Sequence, residues 1–131
     1  MTDKDITGIV VTHGQLGEEL LRTVRLIVGD VHDCYALSGS DLGDEKTIES
    51  IREILDAKKV KNAVVFVDYF GGSCGASCVR ATRGLAGVKI ISGVNLPILL
   101  DFVTKQGMMG FDEIVDHLIK RGQESVKIVD I

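Results

Sequence analysis

Two segments of this chain, "ITGIVVT" (6–12) and "AVVFVD" (63–68), are almost unbroken in hydrophobicity. A strand with one face in water alternates apolar and polar residues, whereas one that is apolar throughout must be covered on both faces. That is the condition of a central strand in a parallel sheet packed between helices. "CYALS" (34–38) and "VKIIS" (88–92) read as further strands, and "VKIVD" (126–130) as a final one.

Helical patterns fill the intervals. Leu16, Leu20, Leu21, Val24, Ile27 and Val28 recur at helical spacing, and Gly29 supplies a stop. Segment 44–59 carries Ile48, Ile51, Ile54 and Leu55 on one face. Its acidic start (Asp44, Glu45) and basic end (Lys58, Lys59) complement the helix dipole. From Ser73 to Arg83 the small residues Ala76, Ser77 and Ala81 allow a helix to lie close to a sheet. Pro97 fits the first turn of the next helix, where its missing N–H costs nothing. Phe111, Ile114, Val115 and Leu118 mark a last amphipathic helix over 111–121.

This alternation predicts one doubly wound open α/β domain over 1–131, its four main strands parallel, in the order 2-1-3-4 and joined by right-handed crossovers. Strands 1 and 3 then lie side by side, and a ligand crevice opens at their carboxyl ends, where the chain reverses direction. His13 follows strand 1 and Asp68 ends strand 3, so two residues far apart in sequence are expected to meet there.

Composition narrows the function classes. With 131 residues, 45% of them hydrophobic, the chain suits one domain with a real core. A net charge of -4 argues against general affinity for nucleic acid or anionic membranes, since no cationic excess would neutralise phosphates. Three cysteines, Cys34, Cys74 and Cys78, form no framework of spaced pairs, which fits a reducing, cytoplasmic setting. The start, "MTDKDITG", is charged and followed by a short apolar run, unlike a signal peptide. No apolar stretch approaches the roughly 20 residues that span a bilayer, so direct membrane insertion is not expected.

A histidine and an aspartate at such a crevice have a definite chemistry. Imidazole is a nucleophile through a nitrogen that holds a lone pair, and a carboxylate bonded to the other nitrogen fixes that tautomer and steadies the charge that develops. Asp68 can serve His13 in this way. Backbone N–H groups of Gly14 and Gln15, and of the turn "FGGS" (70–73), are placed to cradle an anion at helix starts, with Gly71 and Gly72 allowing close approach. The constellation suits a phosphoryl group carried on His13. No G-x-x-x-x-G-K-[ST] loop is present, and no Lys or Arg lies within several residues of His13, Asp68 or Ser73. Few fixed cations mean weak retention of phosphate, an advantage in a relay. His32 and His117 read as solvated or helix-capping.

"GIVVTHGQLGEELL", "VVFVDYFGGS" and "ISGVNLP" resemble, in order and spacing, the IIA component (EIIA) of mannose-type sugar phosphotransferase systems, over nearly the whole chain. The resemblance implies an open α/β sheet, a homodimer, and a histidine that takes phosphate from the histidine phosphocarrier protein and passes it to a IIB component. His13 stands at the family's phosphorylated histidine and Asp68 at the aspartate of its D-x-x-G-G-S motif. Gly14, Gly71, Gly72 and Ser73 would stabilise the transferred oxygens through their N–H groups, with neither metal nor cofactor. Tyr69, Phe70, Leu96 and Pro97 are expected to fringe the crevice as a docking surface, and Asn95 to bond across the strand ends; Phe70 and Leu96 equally read as caps on the core. The family's last strand runs antiparallel and packs across to the partner subunit, a role open to "VKIVD".

One departure stands out. The family usually continues "GGS" with Pro, a large residue and Asn, and here the run is "GGSCGAS". A regulatory IIA domain that feeds no sugar transporter is therefore an alternative. The departure also creates a C-x5-R run, "CGASCVR", from Cys74 to Arg80, the skeleton of cysteine-dependent phosphatases. Against it, "GASCV" reads as helix, neither Ser nor Thr directly follows Arg80, and Cys74 and Cys78 suit packing as small apolar groups. A third reading is a binding module in which the His–Asp pair is inert.

Overall fold

Strands and helices alternate along residues 6–131, the part of the chain that the computed structural model describes. The order is β1 (Ile6–Thr12), α1 (Leu16–Val28), β2 (Cys34–Ser38), α2 (Gly39–Leu42), α3 (Asp44–Ala57), β3 (Asn62–Val67), α4 (Ser73–Thr82), β4 (Val88–Ser92), α5 (Leu96–Lys105) and α6 (Phe111–Glu124). The four strands form one sheet in the order β2-β1-β3-β4, and every pairing is parallel.

The two apolar runs are the central strands, and all seven residues of β1 are buried. Their side chains alternate between two cores. Val10, Val64 and Phe66 join Leu21, Val24, Leu99, Phe102, Ile114 and Leu118, from α1, α5 and α6, on one face. Ile9, Val11, Val65 and Val67 join Ile51, Leu55, Cys74, Cys78 and Ala81, from α3 and α4, on the other. With apolar partners on both sides, neither strand has room for a polar alternation.

The register sets up the site. Val11 lies opposite Val67 and Thr12 opposite Ser38, so β2, β1 and β3 end at nearly the same level. The residues that follow, His13, Gly39 and Asp68, are thereby collected at one edge of the sheet, the crevice expected for this winding.

Four features differ from the sequence reading. Strand β3 covers 62–67, leaving Asp68 just beyond its end. The single turn α2 has no periodic pattern to announce it, beginning at Gly39 and ending before Gly43. Helix α6 runs three residues further, to Glu124. Finally, 126–131 belongs to no strand within the chain, and Val126, Ile128, Val129 and Ile131 are exposed. The charged start, 1–5, lies outside the described residues, among which no helix is long and apolar enough to cross a membrane.

Candidate functional site

His13 leaves β1 as the strand ends, and Asp68 leaves β3 beside it. Asp68 Oδ2 accepts hydrogen bonds from the His13 backbone N–H at 3.0 Å and from ring Nδ1 at 3.0 Å, while Oδ1 lies 3.3 Å from Nδ1. The Tyr69 backbone N–H donates to Asp68 Oδ1 at 3.0 Å. Burial alone would raise the Asp68 pKa, but the bonds from the His13 backbone and ring and from the Tyr69 N–H outweigh it and hold the carboxyl below its usual value. An ionised carboxylate only accepts, so Nδ1 carries a ring proton, and in the neutral ring the lone pair is then on Nε2. The side chain of His13 is 37% exposed against 13% for Asp68, so the imidazole reaches the surface while its carboxylate partner lies mostly inside.

The glycines of "FGGS" create the space around the ring. Gly72 sits in extended backbone (φ -120°) that any residue adopts, so its lack of a side chain is a matter of room. A Cβ there would lie 3.2 Å from His13 Nε2 and 3.2 Å from the Tyr69 hydroxyl. One at Gly71 would come 3.1 Å from the Tyr69 ring. That ring stacks on the imidazole, with centroids 5.3 Å apart and planes 19° from parallel. Gly72 is also the N-cap of α4 and offers no capping side chain. The N–H groups of the first turn, beginning with Ser73, therefore have no partner within the helix and form an anion-attracting end beside Nε2.

Gly14 plays a different part from the one expected. With φ at +58° it turns its N–H toward α2, where Ser40 Oγ accepts it at 2.8 Å, so this group is already engaged. Gln15 Nε2 donates to Asp41 Oδ2 at 3.1 Å. Ser40 and Asp41 thus latch α2 onto the His13 loop, a role that no sequence motif signals.

Asn95 caps α5, its Oδ1 accepting from the Ile98 N–H at 3.0 Å, and its Nδ2 donates to Ser125 Oγ at 3.1 Å. It orders the junction of α5 and α6 instead of bonding across the strand ends. Leu96 packs against the core on the α1 side of the sheet, and Pro97 is half-buried. Tyr69 and Phe70 are both more than half exposed. Phe70 lies over Gly75, where an added Cβ would meet its ring at 2.9 Å. An aromatic ring from residue 70 thus occupies the surface at the point where "GGSCGAS" lacks a large side chain. His32 is exposed, and His117, its side chain 32% exposed, is not a cap: its Nε2 lies 2.7 Å from Asp101 Oδ2 and ties α6 to α5.

The cysteine reading fails on geometry. Cys74 is 1% exposed, inside the core between the sheet, α3 and α4. Burial, then the charges of Asp68 and Asp44, push its thiol pKa up, away from a thiolate. Burial also pushes Cys78 up to about 12. Cys74 and Arg80 lie on one continuous helix, which cannot curl its N–H groups round a phosphate.

Residues 7–119 match the family described as EIIA-man, PTS system fructose IIA component, PTS being the sugar phosphotransferase system. The PTS system mannose-specific EIIAB component of Escherichia coli K12 is 27% identical over 128 residues. That alignment covers 93% of this chain and 39% of the relative, so the chain spans well under half of the relative's length. The PTS system sorbose-specific EIIA component of Klebsiella pneumoniae is 27% identical over 118 residues, 86% of this chain and 84% of that one. Among solved structures, the mannose/sorbose-specific IIA subunit of the phosphotransferase system from Enterococcus faecalis superposes with a TM-score of 0.84 at 25% identity, over 100% of this chain and 97% of that one. With a family match over most of its length and an α/β sheet of matching architecture, the chain belongs to the EIIA-man family of phosphotransferase system IIA components.

Proposed function

We propose that this protein is a cytoplasmic phosphocarrier that takes a phosphoryl group on His13 from the histidine phosphocarrier protein and passes it to a IIB component. The observation that carries the reading is the division of the His13 ring: Nδ1 bonded to an ionised Asp68, and Nε2 open above Gly72 at the start of α4.

In the forward step the Nε2 lone pair attacks phosphorus. The phosphorus–nitrogen bond of the donor breaks, and the donor imidazole keeps the electron pair. Positive charge appears on the His13 ring, and the Asp68 carboxylate on Nδ1–H stabilises it. Charge on the transferred oxygens is met by first-turn N–H groups of α4, at Ser73 and beyond, and by the helix dipole. In onward transfer a nucleophile of the IIB component attacks phosphorus, the phosphorus–Nε2 bond breaks and Nε2 keeps the electron pair, with the same contacts in use. Transfer of this kind rests on position and electrostatics.

The test is intact mass after mixing the protein with phosphoenolpyruvate, enzyme I and the histidine phosphocarrier protein. The expected result is one acid-labile phosphoryl group that His13→Ala abolishes. An unmodified wild-type protein in an active donor mixture would overturn the reading.

A regulatory IIA that feeds no transporter shares this first step and differs only in the acceptor. The exposed Phe70 ring over Gly75 favours keeping it as a second reading, because it gives the rim of the site a different relief from "GGS" followed by Pro and a large residue. Transfer onward to purified IIB components separates the two.

A further inference from the structure

The aromatic residue beside the histidine has two geometric relationships to it. The Tyr69 ring is stacked on the imidazole, with centroids 5.3 Å apart and planes 19° from parallel. Its hydroxyl and His13 Nε2 border the same gap: each lies 3.2 Å from the point where Gly72 lacks a Cβ. Tyr69 is also held in place by the groups that hold the histidine. Its backbone N–H donates to Asp68 Oδ1, and its ring rests against Gly71.

We propose that Tyr69 is a catalytic residue of the phosphoryl site: its hydroxyl donates a hydrogen bond to an oxygen of the phosphoryl group on Nε2, and its ring faces the cationic imidazole that bears the group. The proposal rests on the phosphocarrier reading and adds a contact to it. Three arguments carry it. A phosphoryl group on Nε2 occupies the space above Gly72, and the phenol hydroxyl is the side-chain donor already bordering that space. Among the described residues Asp68 forms an ion pair with His13 and with no Lys or Arg, so a neutral donor supplies polarity without fixing the group too tightly to be passed on. Last, attack by Nε2 with the proton retained on Nδ1 makes the ring cationic, and the face of a phenol attracts a cation. No proton moves in this contact. Tyr69 stays a phenol throughout, and only the phosphoryl group changes partner.

Docking and chemistry separate in an equilibrium measurement. Contacts made only while donor and acceptor are joined cannot alter the equilibrium between the separated proteins, whereas a hydrogen bond to the carried group does. Purified phosphorylated histidine phosphocarrier protein, free of enzyme I and phosphoenolpyruvate, is mixed with wild type, Tyr69→Phe or Tyr69→Leu, and both phosphorylated fractions are read by intact mass. Tyr69 is 56% exposed, so neither variant empties the core; circular dichroism verifies the fold. Tyr69→Phe is expected to shift the equilibrium about tenfold toward the donor, the scale of one hydrogen bond to a charged group. Tyr69→Leu, which also loses the ring, is expected to shift it further. A wild type that takes the phosphoryl group while both variants match its equilibrium overturns this inference and leaves the phosphocarrier reading standing. A wild type that takes none overturns both.

Discussion

Asp68 Oδ2 grips His13 twice, through the backbone N–H and through ring Nδ1, each at 3.0 Å. The first bond fixes the end of β1 and the second fixes the ring relative to it, so one carboxylate sets position and tautomer together. It does so from just beyond the end of the adjacent strand β3, whose register with β1 places the two residues side by side.

Asp68→Asn keeps the size of the side chain and removes its charge. The amide oxygen can still accept from one N–H of His13, so the fold is expected to survive. The cation formed on attack loses its partner, and the rate of phosphoryl acceptance should fall about 10- to 100-fold, the range for a hydrogen bond to a charged group. Stopped-time intact mass measures it. An unchanged rate would remove Asp68 from the mechanism.

The same carboxylate links stability to pH. Its folded pKa lies below the unfolded value of about 3.9. On acidification the unfolded chain therefore takes up this proton first. The contribution of Asp68 is fully present above that value and is lost as pH falls toward and through the folded pKa. Urea unfolding at stepped pH should show wild type losing stability below about pH 4 more steeply than Asp68→Asn. Parallel curves would mean that the carboxylate is not held in this way.

Much of this was legible in the sequence because it followed from continuous patterns. Uninterrupted apolar runs identified β1 and β3 as central strands, and the strand order then brought His13 to Asp68. What escaped lacked a pattern. The turn α2 is only four residues long, and Ser40 and Asp41 acquire meaning only when Gly14 and Gln15 arrive from another loop. Asn95 was misplaced for a related reason. Its position before Pro97 is equally that of a helix cap, and the free N–H of Ile98 decided in favour of the cap.

Gly72→Ala tests the space at the nucleophile. The backbone there tolerates alanine, but the new methyl would sit 3.2 Å from Nε2, in the gap assigned to the phosphoryl group. Thermal stability should stay close to wild type while phosphorylation of His13 falls by at least an order of magnitude, or about 1.4 kcal/mol in the barrier. Normal labelling of this variant would place the phosphoryl group elsewhere around the ring.

Cys74→Ser separates the cysteine from the chemistry. It sets a hydroxyl among Val11, Val67 and Cys78, which costs about 1–3 kcal/mol where no partner is found. The melting temperature should drop, yet phosphorylation of His13 in folded protein should match wild type. Loss of labelling without loss of stability would restore a chemical role to the thiol.

The last six residues offer a test of the expected dimer. Val126, Ile128 and Val129 are between 73% and 92% exposed, and among the described residues β4 pairs with β3 alone, leaving its outer edge open. An exposed apolar segment and an unpaired edge are both liabilities in a monomer, and a second copy removes them together if each tail adds a strand to the other's sheet. Burying such side chains contributes about 1.5–3 kcal/mol each, which across several residues in two symmetric copies is enough to hold a dimer at micromolar concentration. Sedimentation equilibrium should therefore give a dimer for the full chain and a monomer for one ending at Ser125, with His13 phosphorylation retained in both. A full-length chain that sediments as a monomer would assign the tail no partner in a second copy.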